Sequence, residues 1–324
     1  MVLGLSIDGG EVLAQKQLRL ASRAVKAASM GGSMPTYVVL GVPLRTGSLY
    51  PGNENDAQAY REAGLLGRLN AAGCKVMDAG DLPIPSYLPH HSVPPIRSWP
   101  GPRIVWDIVN EKVAEIVRQP EQIPILIGCD CSLVVGTAHA LHTSFQDVHV
   151  LYIDGDFDDA APAPEKCQSA ASCATWLLTH DSALSLMSPL KPSQVSQVGW
   201  TRPPQTEQAG MPSFSLAEVR RIGPRQLALQ VLAAVPASAA ILLHLDIDVF
   251  RSEDLPAAYF PHPEGLSLGE GTELLEVFFR DPRIRLIEIS EYSTLSDRGQ
   301  ESIHKIIDLL VGTLPKSQVA NHVS

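Results

Sequence analysis

The chain has 324 residues, 45% of them hydrophobic, and a formal net charge of −10 at pH 7. That size suits one large α/β domain or two small ones. The negative balance argues against a nucleic-acid partner or an anionic membrane surface and permits a cationic small-molecule substrate, although solvated surface alone accounts for much of it. Val38-Val-Leu-Gly-Val-Pro43 reads as the first core strand. Asp56 to Ala72 has helical spacing and an acidic start. Lys75 to Gly80 reads as a short strand, and the proline-rich stretch from Leu82 to Pro102 as loop. Val105 to Arg118 is helical, Ile123 to Gly128 a buried strand, and Ser132 to Leu141 a helix. A strand around Tyr152 leads to a loop over 160–168 and a helix over 170–179. Gln194 to Trp200 reads as strand, 223–235 contains a helix, and a strand around Leu243 follows. After a proline-containing loop come helix 268–279, strand 284–289 and helix 300–314. Strands alternating with helices predict a parallel sheet covered on both faces.

Three of the apolar runs end in acidic clusters: Cys129-Asp130-Cys131-Ser132, Asp154-Gly-Asp156-Phe-Asp158-Asp159, and Asp246-Ile-Asp248. Open α/β sheets place ligands at the C-terminal ends of their strands. Carboxylates two apart on an extended chain share a face, so Asp246 and Asp248 are expected to share an ion, as are Asp154, Asp156 and Asp158 if the chain stays extended. Five crowded carboxylates repel one another unless cations hold them. One or two divalent cations are therefore expected. Cys131 reads either as a further ligand or as a buried thiol that binds nothing. His244, one step deeper on the strand of Asp246, reads as a spare ligand, a core histidine or a supporting partner.

Together, Ile125-Leu-Ile-Gly-Cys-Asp-Cys-Ser132, Asp154-Gly-Asp-Phe-Asp158, His244-Leu-Asp-Ile-Asp248 and Glu288-Ile-Ser-Glu291 resemble, in order and spacing, the motifs of the arginase/agmatinase (ureohydrolase) family. The resemblance covers roughly residues 36–314. It implies a three-layer α/β/α sandwich on an eight-stranded parallel sheet. It also implies a two-manganese centre whose metal-bound hydroxide hydrolyses a guanidinium C–N bond, and a ring-shaped trimer or hexamer. Residues 256–266 resemble the hydroxyarginine-hydrolysing branch more than arginase itself. On this reading residues 1–35 are an extension, 36–315 the arginase-like catalytic domain and 316–324 a tail.

The sequence departs from the family's pattern at several places. Cys131 stands at the first metal-binding histidine and Asp156 at the second; an alternative alignment leaves no residue at the second. The resemblance thus implies a centre without its two histidines. A third family histidine falls at Cys173, and the polar residue that holds an amino acid's carboxylate falls at Ala171. The ligand set carried by the resemblance is Asp154, Asp156, Asp158, Asp246, Asp248 and Cys131, with Mn²⁺ as the expected metal. Glu291 and Asp156 are the candidate catalytic residues. Glu291, Ser169 and Cys173 are the candidate substrate contacts.

The expected activity is metal-dependent hydrolysis of a C–N bond in a guanidinium- or amidine-type small molecule. The alternative is a member of the fold that has lost hydrolysis, acting as a partner subunit or through changed chemistry. A lysine deacetylase on a related fold fits less well, because no His-His pair lies near the motifs. No stretch is long and apolar enough to span a bilayer, and the N-terminus lacks the pattern of a signal peptide. Five cysteines without scaffold spacing suggest a reducing cytoplasm.

Overall fold

A computed structural model describes residues 34–89, 91–206 and 209–316. The expected extension over 1–35 and tail over 316–324 fall almost entirely outside these residues. Among the described residues the strands are β1 (Thr36–Gly41), β2 (Lys75–Asp81), β3 (Gln122–Ile127), β4 (Val148–Ile153), β5 (Val195–Val198), β6 (Ser213–Phe214), β7 (Ala240–Asp246) and β8 (Ile284–Ser290). The helices are α1 (Asp56–Glu62), α2 (Leu65–Ala71), α3 (Gly101–Val117), α4 (Leu133–Ser144), α5 (Ala174–Thr179), α6 (Leu216–Ile222), α7 (Pro224–Ala234), α8 (Leu268–Phe278) and α9 (Glu301–Thr313). The strands form one eight-stranded sheet in the order β2-β1-β3-β8-β7-β4-β5-β6, parallel throughout.

Alternation along the central strands explains the three layers. Ile241, Leu243 and Leu245 point to one face and pack under α1, α2, α7, α8 and α9. Leu242, Leu286 and Tyr152 point to the other and pack under α3, α4 and α5. Both faces are apolar because both are covered, as parallel sheets require. Among the described residues no helix is long and apolar enough to cross a membrane.

Three elements differ from expectation. The helix expected over 56–72 breaks in two at Gly64, whose φ of 85° is a left-handed conformation that glycine adopts without strain. β6 and α6 have no counterpart in the sequence reading. A two-residue strand carries no readable alternation. The start of α6 does carry a signature: Ser215 and Glu218 form a reciprocal capping box.

Candidate metal centre

Sheet register builds the site in rows. β4, β7 and β8 are neighbours, and Tyr152 pairs with His244 and His244 with Glu288. Two residues further on, Asp246 pairs with Ser290, and Asp154 leaves the end of β4. The lower row is a buried polar layer. His244 Nδ1 lies 2.9 Å from Glu288 Oε1, and the imidazole stacks on Tyr152 at 4.2 Å between centroids. The Thr137 hydroxyl donates to Glu288 Oε2 at 2.6 Å. With Nδ1 held by a carboxylate, Nε2, which meets the Ser290 hydroxyl at 3.5 Å, is the ring atom that faces a ligand above it.

With His244 reaching up from this layer, the donors fall into two adjacent groups that could hold metal ions: Cys131, Asp154, His244 and Asp246; and Asp156, Asp248 and His262. Asp246 and Asp248 do not stand on one extended strand. β7 ends at Asp246, whose carboxylate accepts the Asp248 N–H at 2.7 Å and starts a 3₁₀ turn over Ile247–Val249. The two carboxylates therefore belong to different groups. Asp154 and Asp156 separate in the same way, because Asp154 Oδ1 accepts the Asp156 N–H at 2.6 Å. Asp158 enters neither group. Its φ is 50°, and its carboxylate accepts the Tyr152 hydroxyl at 2.8 Å. Gly155 lets the two groups approach, since a Cβ there would lie 2.9 Å from both Asp248 O and His262 Cδ2.

These donors fit divalent cations. Asp154, Asp246 and Glu291 are buried and Asp158 is half-buried. Desolvation first pushes each well above the usual carboxylate range; neighbouring carboxylates add to it, while the Tyr152 hydroxyl opposes it at Asp158 and Arg45 opposes it at Glu291. Asp154 Oδ2 is buried with no hydrogen-bond partner, an uncompensated acceptor that a cation would satisfy. The Cys131 thiol, pushed up by burial and by Asp246, lies 2.6 Å from Asp246 Oδ2 as its donor. Asp156 behaves differently. Burial raises it, but His262 and Arg202 outweigh that and hold it below the usual range. His262 in turn is lifted to about 9, mainly by Asp156 and then by Asp248.

A cavity of about 480 Å³ opens over both groups, with Asp156, Asp246, Asp248 and Glu291 in its wall. Ser169 lines it as well and is bonded to Ser172 at 2.9 Å. Cys173 instead belongs to the core under α5, where burial pushes its thiol up to about 12. Asp130 serves the local backbone, accepting the N–H groups of Gly47 at 2.9 Å and Ser132 at 3.1 Å. Glu291 follows β8 with φ 61°. Its Oε2 pairs with Arg45 Nη1 at 3.0 Å, and that guanidinium is 1% exposed.

The implied histidine-free centre is therefore corrected. His244 and His262 stand in the two donor groups, so imidazoles are present although Cys131 and Asp156 occupy the motif positions. His262 and Arg45 were not singled out by sequence. His262 comes from the loop after β7 and has no fixed spacing from the acidic motifs. Arg45 is an isolated charge after β1, which reads as surface until its partners are known.

The sequence profile of the arginase family matches residues 35–314. The arginase of Bacillus subtilis (strain 168) is 24% identical over 297 residues, covering 87% of this chain and 98% of its own. A crystal structure of Bacillus subtilis arginase superposes with a TM-score of 0.75 at 22% identity, covering 88% of this chain and all of that one. Entamoeba histolytica arginase, crystallised with L-ornithine, reaches a TM-score of 0.77 at 16% identity, covering 87% and 99%. The placement on a hydroxyarginine-hydrolysing branch is not sustained. What matches is the family as a whole, and the 256–266 segment that suggested the branch is the one that delivers His262. With its eight-stranded α/β/α sandwich and a profile match over nearly all the described residues, the chain belongs to the arginase family.

Proposed function

We propose that this protein is a metal-dependent hydrolase that cleaves a C–N bond of an amidine- or guanidine-type small molecule. The observation that carries the reading is two adjacent donor groups on the floor of one cavity, with the buried Asp154 Oδ2 unsatisfied. Asp154, Asp246, His244 and Cys131 would hold one cation, and Asp156, Asp248 and His262 a second. Mn²⁺ is the ion we expect for this carboxylate-rich set. Divalent cations there would supply Lewis acidity and bring the pKa of a water molecule toward neutrality.

The chain's own residues do the rest. Glu288 fixes the tautomer and plane of His244. Asp158 holds the Tyr152 ring on which His244 stacks. His262, wedged between Asp156 and Asp248 at 3.4 and 3.5 Å, can hold a proton at Nε2 and release it as a cation enters. Glu291 forms the cavity wall where a substrate is oriented. The catalytic unit we assign is residues 36–315, acting in the cytoplasm; the five cysteines are all free thiols, which fits a reducing compartment. A trimer or hexamer is the assembly we expect, and light scattering measures it.

The Arg45–Glu291 pair favours a second reading, an arginase-fold protein with changed chemistry, because Glu291 already has a cationic partner. Screening amidines, guanidines and ureides for ammonia or urea release by Mn²⁺-loaded protein separates the two. Turnover that disappears with chelator and with Asp246→Asn supports hydrolysis. No turnover of any C–N substrate by fully loaded protein would leave the second reading.

A further inference from the structure

We propose that Arg45 fills the cation subsite at Glu291, so that the C–N group admitted to this cavity is uncharged. The inference rests on the reading above that Glu291 faces the substrate. Arg45 is locked from several sides. Its backbone exchanges two hydrogen bonds with Gly52, at 3.1 and 3.0 Å. Nη1 donates to Glu291 Oε2, to Ser48 Oγ at 3.2 Å and to the Cys129 carbonyl. Nη2 donates to Asp56 Oδ2 at 2.9 Å and to the Tyr292 carbonyl at 3.0 Å. The Tyr259 ring lies against the guanidinium, 4.0 Å from its centroid to Cζ. To leave, Arg45 would break two buried ion pairs at once, each costly because its partner would be left uncompensated.

The charge at Glu291 itself is already met, whatever the balance elsewhere in the cavity. Each donor group contains two carboxylates, which one divalent cation would balance. Glu291 is balanced by Arg45. Asp158 and Asp159 keep their charges, since the Tyr152 hydroxyl and the N–H groups of Gln205 and Thr206 are neutral donors, but Arg202 adds a cation beside Asp156 at 3.6 Å. The remaining charge in the Arg45 cluster sits on Asp56, which also accepts from the N–H and hydroxyl of Thr294. A guanidinium substrate would meet Glu291 with a fixed guanidinium already 3.0 Å from its Oε2, and two cations sharing one carboxylate repel each other. The class that fits is an amidine-type carbon neutral near pH 7: an electron-poor or acylated amidine, or a ureide.

Guanidinium and urea are planar isosteres that differ in charge, so they are the probes. Binding of each, at sub-denaturing concentration, is measured by calorimetry on Mn²⁺-loaded wild type, Arg45→Met and Arg45→Met/Glu291→Gln. Wild type should bind urea at least as tightly as guanidinium. Arg45→Met should gain about tenfold or more in guanidinium affinity, and the double variant should lose that gain. A wild type that prefers guanidinium by about tenfold, with the preference abolished by Glu291→Gln, overturns the proposal. So does a wild type that binds neither probe. If Arg45→Met does not fold, Arg45→Lys keeps the charge and should keep guanidinium excluded; guanidinium binding tighter than urea by that variant counts against the proposal. Metal content of the same samples is read by mass spectrometry. Protein that takes up no metal defeats the hydrolase reading, while the guanidinium–urea comparison still decides the charge of the subsite.

Discussion

Glu288→Gln should weaken metal binding without unfolding the protein. Both side chains of the His244–Glu288 pair are wholly buried and 2.9 Å apart. The carboxylate does two things. It accepts the Nδ1 proton, which leaves the Nε2 lone pair toward Cys131, Asp154 and Asp246, and its charge would strengthen the attraction of the imidazole for a bound cation. Glutamine keeps the shape and can still accept from Nδ1, but it removes the charge. Loss of such a supporting carboxylate typically costs about 10- to 100-fold in metal affinity, or roughly 1.4–2.7 kcal/mol. Alanine would be less informative, since it would strand Nδ1 in the core and destabilise the fold itself. Competitive titration of Mn²⁺ against a fluorescent chelator, with circular dichroism to check the fold, measures the effect. A folded Glu288→Gln protein with wild-type Mn²⁺ affinity would show that His244 is packing and not a ligand.

Four further outcomes follow from the same geometry. Cys131→Ser should reduce Zn²⁺ affinity by about tenfold or more while leaving Mn²⁺ within a few-fold, because thiolate favours the softer ion; equal losses in competition titrations would remove Cys131 from the coordination sphere. His262→Ala should lower the retained metal by one equivalent and leave the Cys131–Asp154–His244–Asp246 group loaded, read by mass spectrometry. Arginine should be a poor substrate in a urea-release assay: Ala171, in the cavity wall, offers an α-carboxylate no side-chain hydrogen bond, a loss on the order of 1.5–3 kcal/mol. Burial holds His149 down at about 4, so between about pH 4 and 6.5 the unfolded chain binds the extra proton. Stability then rises with pH across that window and falls as pH drops, by on the order of 3 kcal/mol in full. His149→Gln should flatten the acid limb of the melting-temperature profile, and an unchanged limb would contradict the assignment.

Much of the fold was legible because its central strands are buried on both faces and read as apolar runs, while the exposed edge strand β2 was read from its place between a helix and a proline-rich loop. The seven expected strands lie where β1–β5, β7 and β8 are found. β6 escaped because two residues hold no pattern, and the break at Gly64 because helical spacing continues through it. Acidic residues at the ends of β4 and β7 were visible for the same reason as the strands. Their grouping was not. Asp248 leaves the face of Asp246 because a side chain caps the next turn, a local hydrogen bond that period-2 reasoning ignores. His262 and Arg45 were invisible for a different reason: their roles are set by partners far away in sequence, Glu291 lying 246 residues after Arg45. A lone histidine in a loop and a lone arginine after a strand look like solvated surface until the sheet closes around them.

The central claim is that the two donor groups are a metal site, and metal content tests it most directly. Protein saturated with Mn²⁺ and desalted is analysed by mass spectrometry beside Asp246→Asn/Asp248→Asn, which removes one carboxylate from each group. The wild type should retain about two equivalents, one per group, and the double variant should retain none while keeping its fold. A wild type that retains no divalent metal after saturation with Mn²⁺, Co²⁺ or Zn²⁺, or a double variant that retains as much as wild type, would contradict it.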